Sequence, residues 1–458
     1  MISIPKTSHR SSPLDLADYD PRYTVQGPLP LKVVHLSTYD VTGGAARAAY
    51  RLHSGLRAVG VESSMLVREA RNNDPSIVRY QPTDTFLGRV ERRVRREYIQ
   101  RKLHPSVRPI GNHFEPFRTD RSEYGTDVMA QLPTHDIVNL HWIADFVDYG
   151  SFFGPLSAGK RFVWTLHDMN AFTGGCHYDL GCGRYLTHCS QCPQLLAPGE
   201  KDLSSQIWDR KKTLFDLLPI DRLHVVTPSA WLADEAKRSP ILSRFPVSVI
   251  PYGIDLNDFA PRDKRSAREV FGISQQAKVV VFVADGLPLV RKGFDKLVEA
   301  LKQIKARIPT LCLVGVGHNS PALELQIPYL NLGHINSDRL LSNIYSAADV
   351  VVIPSLQDNL PNTVLESMAC GTPVIGFDVG GIPDMIQHGK TGLLVPPSDT
   401  AAFGAAILEL LKNPERQSRL SAHCRQTAVQ RFSLQRQASR YTDLYTNLLR
   451  APSKPRPL

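Results

Sequence analysis

The sequence predicts an α/β protein of two domains, each a doubly wound parallel sheet with helices on both faces. Three observations carry this. Short apolar runs alternate with helical stretches along nearly the whole chain, and such alternation covers both faces of a parallel sheet. The runs are continuously apolar, as in Val350-Val351-Val352-Ile353, the pattern of strands buried on both sides. The series then breaks and restarts at Phe245-Pro246-Val247-Ser248-Val249-Ile250-Pro251-Tyr252-Gly253, where two prolines and a glycine mark a linker. A chain of 458 residues is also too long for one hydrophobic core.

Residues 1–30 are rich in Ser, Pro and Asp and are expected to form an extended arm. They lack the apolar centre of a secretory signal, so a cytoplasmic protein is expected. The first domain is expected over 31–246. Its first strand is read at 31–37, followed by Thr42-Gly43-Gly44-Ala45-Ala46-Arg47 leading into a helix through about 59. Further strands are read at 64–67, 137–142, 162–167 and 223–228. The second domain is expected over 247–433, with strands at 279–284, 312–316, 330–332, 349–354, 374–377 and 392–395. Two such Rossmann-like halves facing each other make an interdomain cleft, and ligands in these sheets bind beyond the C-terminal strand ends. Apolar content of 42% and charged content of 21% are ordinary for a soluble globular protein. No apolar run approaches the roughly 20 residues that span a bilayer.

The most informative stretch is Pro354-Ser355-Leu356-Gln357-Asp358-Asn359-Leu360-Pro361-Asn362-Thr363-Val364-Leu365-Glu366. A strand, a polar turn and a helix start leave free amides at the positive end of a helix dipole, which suits an anion. Pro361 fits a first helical turn, whose amides lack partners anyway. Asp358 and Glu366 lie eight residues apart across the turn, and carboxylates suit sugar hydroxyls. Together they suggest a nucleotide-sugar. Asp358 could equally cap the helix, and two carboxylates could serve a hydrolase.

Other strand ends carry candidates with plainer readings beside them. Gly43-Gly44 would let backbone approach a phosphate, or be an ordinary tight turn. It is no full dinucleotide fingerprint, which argues against a redox cofactor. Arg291-Lys292 could neutralise a diphosphate, or be a surface pair. His167-Asp168 stands where site residues belong, and His167 could bind a sugar hydroxyl or be structural. Cys176, Cys182, Cys189 and Cys192 form C-x5-C-x6-C-x2-C within 17 residues. In a cytosolic chain that pattern reads as a candidate structural zinc site before disulfides, with buried free thiols as the plain reading. Net charge is +10, and Arg89, Arg92, Arg93, Arg95, Arg96, Arg101 and Lys102 cluster beside Val90, Tyr98, Ile99 and Leu103. This segment, 89–103, reads as a basic helix, either a solvated face or a contact with anionic lipid. No nucleic-acid recognition motif accompanies the charge.

These motifs resemble family 4 of the glycosyltransferases, retaining enzymes of the GT-B fold. Asp358 to Glu366 resembles its E-x7-E signature. Ala369-Cys370-Gly371-Thr372-Pro373-Val374-Ile375, Gly380-Gly381-Ile382-Pro383-Asp384, Ile250-Pro251-Tyr252-Gly253-Ile254-Asp255 and Gly389-Lys390-Thr391-Gly392-Leu393-Leu394-Val395 resemble further family motifs. Gly43-Gly44-Ala45-Ala46-Arg47, Trp164-Thr165-Leu166-His167-Asp168 and Thr173-Gly174-Gly175-Cys176, with the four cysteines, resemble a bacterial subgroup that builds exopolysaccharide and colanic-acid-like repeats. The resemblance implies transfer of a hexose from a nucleotide diphosphate sugar to a saccharide or lipid-linked acceptor, with no cofactor required for catalysis. It implies that Glu366 holds the ribose and Asp358 touches the hexose. Lys292, with Arg291 or the Gly43-Gly44 turn, would bind the diphosphate. His167 would stand beside the transferred sugar, and amides near Asn359, Leu360 and Asn362 would cradle phosphate and sugar. It further implies that a helix over 434–450 returns to the first domain. Three positions depart from the pattern: Asp358 replaces Glu, Pro361 replaces Gly, and Leu287 stands near the usual arginine. A sugar-nucleotide epimerase, or a saccharide-binding protein without catalysis, would share this fold.

Overall fold

The computed structural model describes residues 31–103, 116–154, 160–287, 289–318 and 327–450. The arm expected at 1–30 lies outside them. The first sheet contains β1 (Lys32–Tyr39), β2 (Glu62–Glu69), β3 (Ile77–Arg79), β4 (Ile137–Leu140), β5 (Phe162–Thr165), β6 (Leu223–Thr227) and β7 (Val247–Val249). Its spatial order is β3-β2-β1-β4-β5-β6-β7, and every pairing is parallel. The second sheet contains β8 (Lys278–Gly286), β9 (Leu311–His318), β10 (Tyr329–Asn331), β11 (Val350–Ile353), β12 (Val374–Phe377) and β13 (Gly392–Val395). Its order is β10-β9-β8-β11-β12-β13, again all parallel.

The continuous apolar runs work as expected. Alternate residues of β8 and β11 feed two different cores. Val280, Phe282, Val350 and Val352 pack on one face with the helices Phe294–Ile304 and Thr400–Lys412. Val279, Val281, Val351 and Ile353 pack on the other with Asp338–Ala347 and Asn362–Ala369. A strand buried on both faces has no position left for a polar side chain, which is why these runs were legible.

The order of strands reverses between β1 and β4 and between β8 and β11. These are the switch points where such sheets open a crevice. The chain passes between domains twice, and the two passages pair Ile254 with Ser433. The helix Leu434–Arg450 returns to the first domain and packs on the helix Gly44–Ala58. There the Tyr441 hydroxyl bonds Thr165 Oγ1 at 2.9 Å and Tyr445 accepts from Asn139 Nδ2 at 2.8 Å.

Two details move the expected boundaries. Val247–Val249, read as linker, is the edge strand β7 paired with β6. The first sheet therefore runs three residues beyond the expected boundary at 246. β3 is too short to carry a pattern of its own. It exists because β2 offers it a partner. The basic segment is a helix, Phe86–Leu103, with none of its residues buried. Much of its charge is paired locally, as in Arg93–Glu97, Arg95–Glu91 and Arg96–Glu123. Among the described residues, no helix is long and apolar enough to cross a membrane.

Candidate active site

The two switch points face each other. After β1 the chain turns at Gly43, with φ +83°, and enters the helix Gly44–Ala58. Across the cleft, Asn362 at the start of the helix Asn362–Ala369 donates from Nδ2 to the Gly44 carbonyl at 2.9 Å. After β8 a single tight turn, Val290–Lys292, ends at Gly293 with φ +67°. A Cβ there would stand 1.8 Å from the Pro354 carbonyl oxygen. Only glycine lets the loop after β8 lie flat on the loop after β11.

That contact brings Arg291 and Lys292 onto Asp358. Asp358 Oδ2 receives Lys292 Nζ at 2.7 Å, Ser355 Oγ at 3.2 Å and Arg291 Nη1 at 3.3 Å. Oδ1 accepts the Asn359 amide at 3.0 Å and lies 3.5 Å from the Tyr178 hydroxyl. Burial would raise this carboxyl, but Lys292 and then Arg291 outweigh it and hold its pKa below the ordinary value. The Arg291 guanidinium sits 4.0 Å over the Tyr178 ring and donates to the Gln357 carbonyl at 3.0 Å. Gln357 in turn bonds Asp179 Oδ1 at 2.7 Å and the Leu180 amide at 2.9 Å. The turn after β11 is thus clasped by residues 178–180 of the first domain.

Glu366 is buried, and both its oxygens have protein partners. Oε1 accepts from Arg51 Nη2 at 2.9 Å and Oε2 from the Tyr345 hydroxyl at 2.8 Å. Arg51 also reaches Asp338 at 3.1 Å, and Arg47 reaches Asp338 at 3.4 Å. Sequence reasoning missed this network. The signal was two arginines four residues apart in a helix that opens on a glycine turn.

His167 lies just past the end of β5, where it was expected, but inside the protein. Nδ1 bonds the Tyr252 hydroxyl at 2.6 Å and Nε2 bonds His141 Nδ1 at 3.0 Å. His141 Nε2 continues to His35 Nδ1 at 2.9 Å. Burial lowers the His167 pKa to about 4, so the imidazole is neutral near pH 7 and supplies no charge there. Its carbonyl oxygen accepts from Asn359 Nδ2 at 3.0 Å, and Asn359 also takes the Ser229 hydroxyl. The Asn359 amide expected to cradle phosphate is used on Asp358. His177, unremarked in this role, bonds Asp168 at 2.6 Å beside Trp142.

The four cysteines line one cavity together with Asp179. All are free thiols. Burial pushes Cys189 up to about 12 and Cys192 up to about 11. Elsewhere, Asp285, His318 and His334 bring their ligand atoms within 4.8 Å of one another at exposed strand ends of the second sheet.

Residues 277–413 match the family model described as Glycosyl transferases group 1. A D-inositol 3-phosphate glycosyltransferase of Thermobispora bispora is 33% identical over 220 residues, covering 44% of this chain and 51% of that protein. The chain spans about half the length of the curated relatives it matches. Sucrose-phosphate synthase from Thermosynechococcus elongatus superposes with a TM-score of 0.63 at 21% identity, covering 91% of this chain and 99% of that one. Anabaena Alr3699/HepE in complex with UDP-glucose gives 0.59 at 15% identity, over 91% and 100%. Both structures share the whole two-domain architecture, which is the GT-B fold. Over residues 277–413 the second domain of this chain is similar to the group 1 glycosyl transferases.

Proposed function

We propose that this chain is a retaining glycosyltransferase. It moves a hexose from a nucleotide diphosphate sugar to a saccharide or lipid-linked saccharide during surface-polysaccharide assembly. One observation carries the reading: Lys292 and Arg291 converge on Asp358 at the switch point of the second sheet, while Asn362, a few residues on, bonds the glycine turn at the switch point of the first. Two cations and a helix start there suit the charge of a diphosphate, and a carboxylate within the same cluster suits a hexose hydroxyl.

The chemistry then follows from electrostatics. Negative charge grows on the diphosphate as the glycosidic bond breaks. Lys292, whose side chain is 21% exposed, would move from Asp358 to the phosphate oxygens and stabilise that charge. Asp358, released, would hold the hexose. The acceptor hydroxyl attacks from the face the diphosphate leaves and passes its proton to the departing diphosphate oxygen, so neither carboxylate serves as nucleophile. Closure of the cleft would exclude water from this step. Glu366 would hold the ribose only by exchanging Arg51 or Tyr345 for its hydroxyls. His167 would act through its backbone contact to Asn359, not as a charge.

The polysaccharide acceptor rests on the motifs of the first domain. The relative named above is called an inositol 3-phosphate glycosyltransferase, and its match covers only part of the chain. The helix Phe86–Leu103 would rest on anionic lipid at the inner membrane face. Its Phe86, Leu87 and Val94 are 71%, 78% and 62% exposed beside the arginines.

Two measurements test the reading. A panel of nucleotide-sugars should raise the melting temperature for one donor. Lys292→Ala should then lower turnover at saturating donor by about 100-fold. Undiminished turnover would remove the diphosphate role. For the helix, sedimentation with anionic vesicles but not neutral ones is expected. Equal sedimentation with both would remove the lipid contact.

A further inference from the structure

The proposed transfer makes no use of the four cysteines carried between β5 and β6. Together they have the form of a metal cradle. Cys176, Cys182, Cys189 and Cys192 line one cavity, and none is paired in a disulfide. Gly174 donates its amide to Cys189 Sγ at 3.2 Å. The Gln194 amide, two residues further along, stands close enough to the Cys192 thiol to favour its ionised form. Amides directed at sulfur are the outer-shell contacts that orient thiolate ligands and tune a metal centre. Gly174 is needed for the approach: a Cβ there would lie 2.8 Å from Cys189 Cβ and 2.4 Å from the Ser204 carbonyl oxygen. Positive charge stands near as well. Arg184 lines the cavity. Lys211 is fully buried, bonded to the Thr173 carbonyl at 3.1 Å, and close enough to Cys176 and Cys189 to act on them electrostatically. Four thiolates around a metal carry net negative charge, and these cations would offset it.

The spacing of the sulfurs bears on the occupant. Among the described residues, no three of the four sulfurs lie within 4.8 Å of one another; the one group that close is Asp285, His318 and His334. A tetrahedral zinc at about 2.3 Å from each sulfur would hold them about 3.8 Å apart. A cluster of several irons holds its thiolates farther apart, because each ligates a different part of the cluster. We propose that Cys176, Cys182, Cys189 and Cys192 ligate a polynuclear iron–sulfur cluster.

The consequence for the cleft is positional. Tyr178, Asp179 and Leu180 lie between the first two ligands, and these residues clasp Arg291, Asp358 and Gln357. The cluster would fix the wall against which the cation pair rests.

The full chain, purified without oxygen from iron-supplied cells, tests this by its iron, acid-labile sulfide and zinc content and its visible absorbance. Expected are about two to four irons with matching sulfide per chain. Both should be lost in Cys182→Ser and Cys192→Ser and kept in Cys312→Ser, which lies outside the cradle. Stoichiometric zinc without iron overturns the cluster, and so does protein free of metal. The wild-type content decides the matter even where a variant fails to fold. None of these readouts depends on transfer activity, so failure of the cluster and failure of the transferase reading are separable.

Discussion

Removing the guanidinium of Arg51 would leave Glu366 charged and buried with only the Tyr345 hydroxyl to meet it. The two side chains are 7% and 4% exposed and 2.9 Å apart. Breaking a buried pair from one side typically costs about 3–5 kcal/mol, whereas replacing both partners with apolar groups recovers most of the loss. Arg51→Met is therefore expected to lower stability by about 3–5 kcal/mol in urea unfolding. Adding Glu366→Leu should recover most of that, short by about 1–3 kcal/mol for the abandoned Tyr345 hydroxyl. A cost under about 1 kcal/mol for Arg51→Met would mean the pair is not formed in solution. At this scale the sequence was half legible. Glu366 was visible because a carboxylate stood in an otherwise apolar helix. Its partner was not, because 315 residues separate Arg51 from it, and no local pattern encodes a contact across two domains. His167 shows the same limit. Its position past β5 was readable, but its environment depends on His141 and Tyr252, which come from other elements.

Elements were more legible where both faces of a strand are buried, because burial alone then dictates the composition. All the strands read in the second half appear, some shifted by a residue or two at their ends. β3 and β7 escaped because short edge strands borrow their order from a neighbour rather than from their own residues. The loop after β8 belongs to this scale too. Gly293 holds φ +67° and lies against the Pro354 carbonyl. Gly293→Ala adds a strained backbone, about 1–2 kcal/mol, and a clash with main-chain atoms that have nowhere to go. Urea unfolding should show a loss of about 2 kcal/mol or more. Donor affinity should fall with it, since Arg291 and Lys292 immediately precede the glycine. Gly43→Ala makes a useful comparison. Gly43 has φ +83° but open space around its added Cβ, so only the backbone strain of about 1–2 kcal/mol applies. Equal costs at both sites would mean the loop after β8 does not rest on Pro354.

Across the whole molecule, acid should act on one domain before the other. His35 and His141 are held well below the ordinary histidine value by burial, and burial brings His53, His167 and His224 to about 4. Asp168 beside His167 and Asp74 beside His53 pull the other way, and burial outweighs both. All five belong to the first domain: His35 and His224 in its sheet, His141 and His167 just past strand ends, and His53 in the helix Gly44–Ala58. In the second domain His318, His334, His388 and His423 are at least partly exposed. The sign follows from linkage. With folded values below the unfolded value near 6.5, the unfolded chain takes up protons first. Stability is full above about pH 6.5 and falls as pH drops toward 4, by up to about 1.4 kcal/mol per pH unit for each histidine. Asp168 and Asp358 are held below the ordinary carboxyl value, so their share is lost only below about pH 4. The molecule carries its own reporter for this asymmetry. Trp142, Trp164, Trp208 and Trp231 are its four tryptophans, and all lie before the end of β7. Tryptophan fluorescence therefore follows the first domain alone, while far-ultraviolet circular dichroism follows both. Between about pH 7.5 and 5.5 the urea midpoint by fluorescence should fall steeply, with a cost of several kcal/mol. Circular dichroism should then split, keeping a later transition for the second domain, because the contacts between domains no longer hold the two together. A fluorescence midpoint unchanged between the two pH values would mean these histidines are not buried as a neutral cluster.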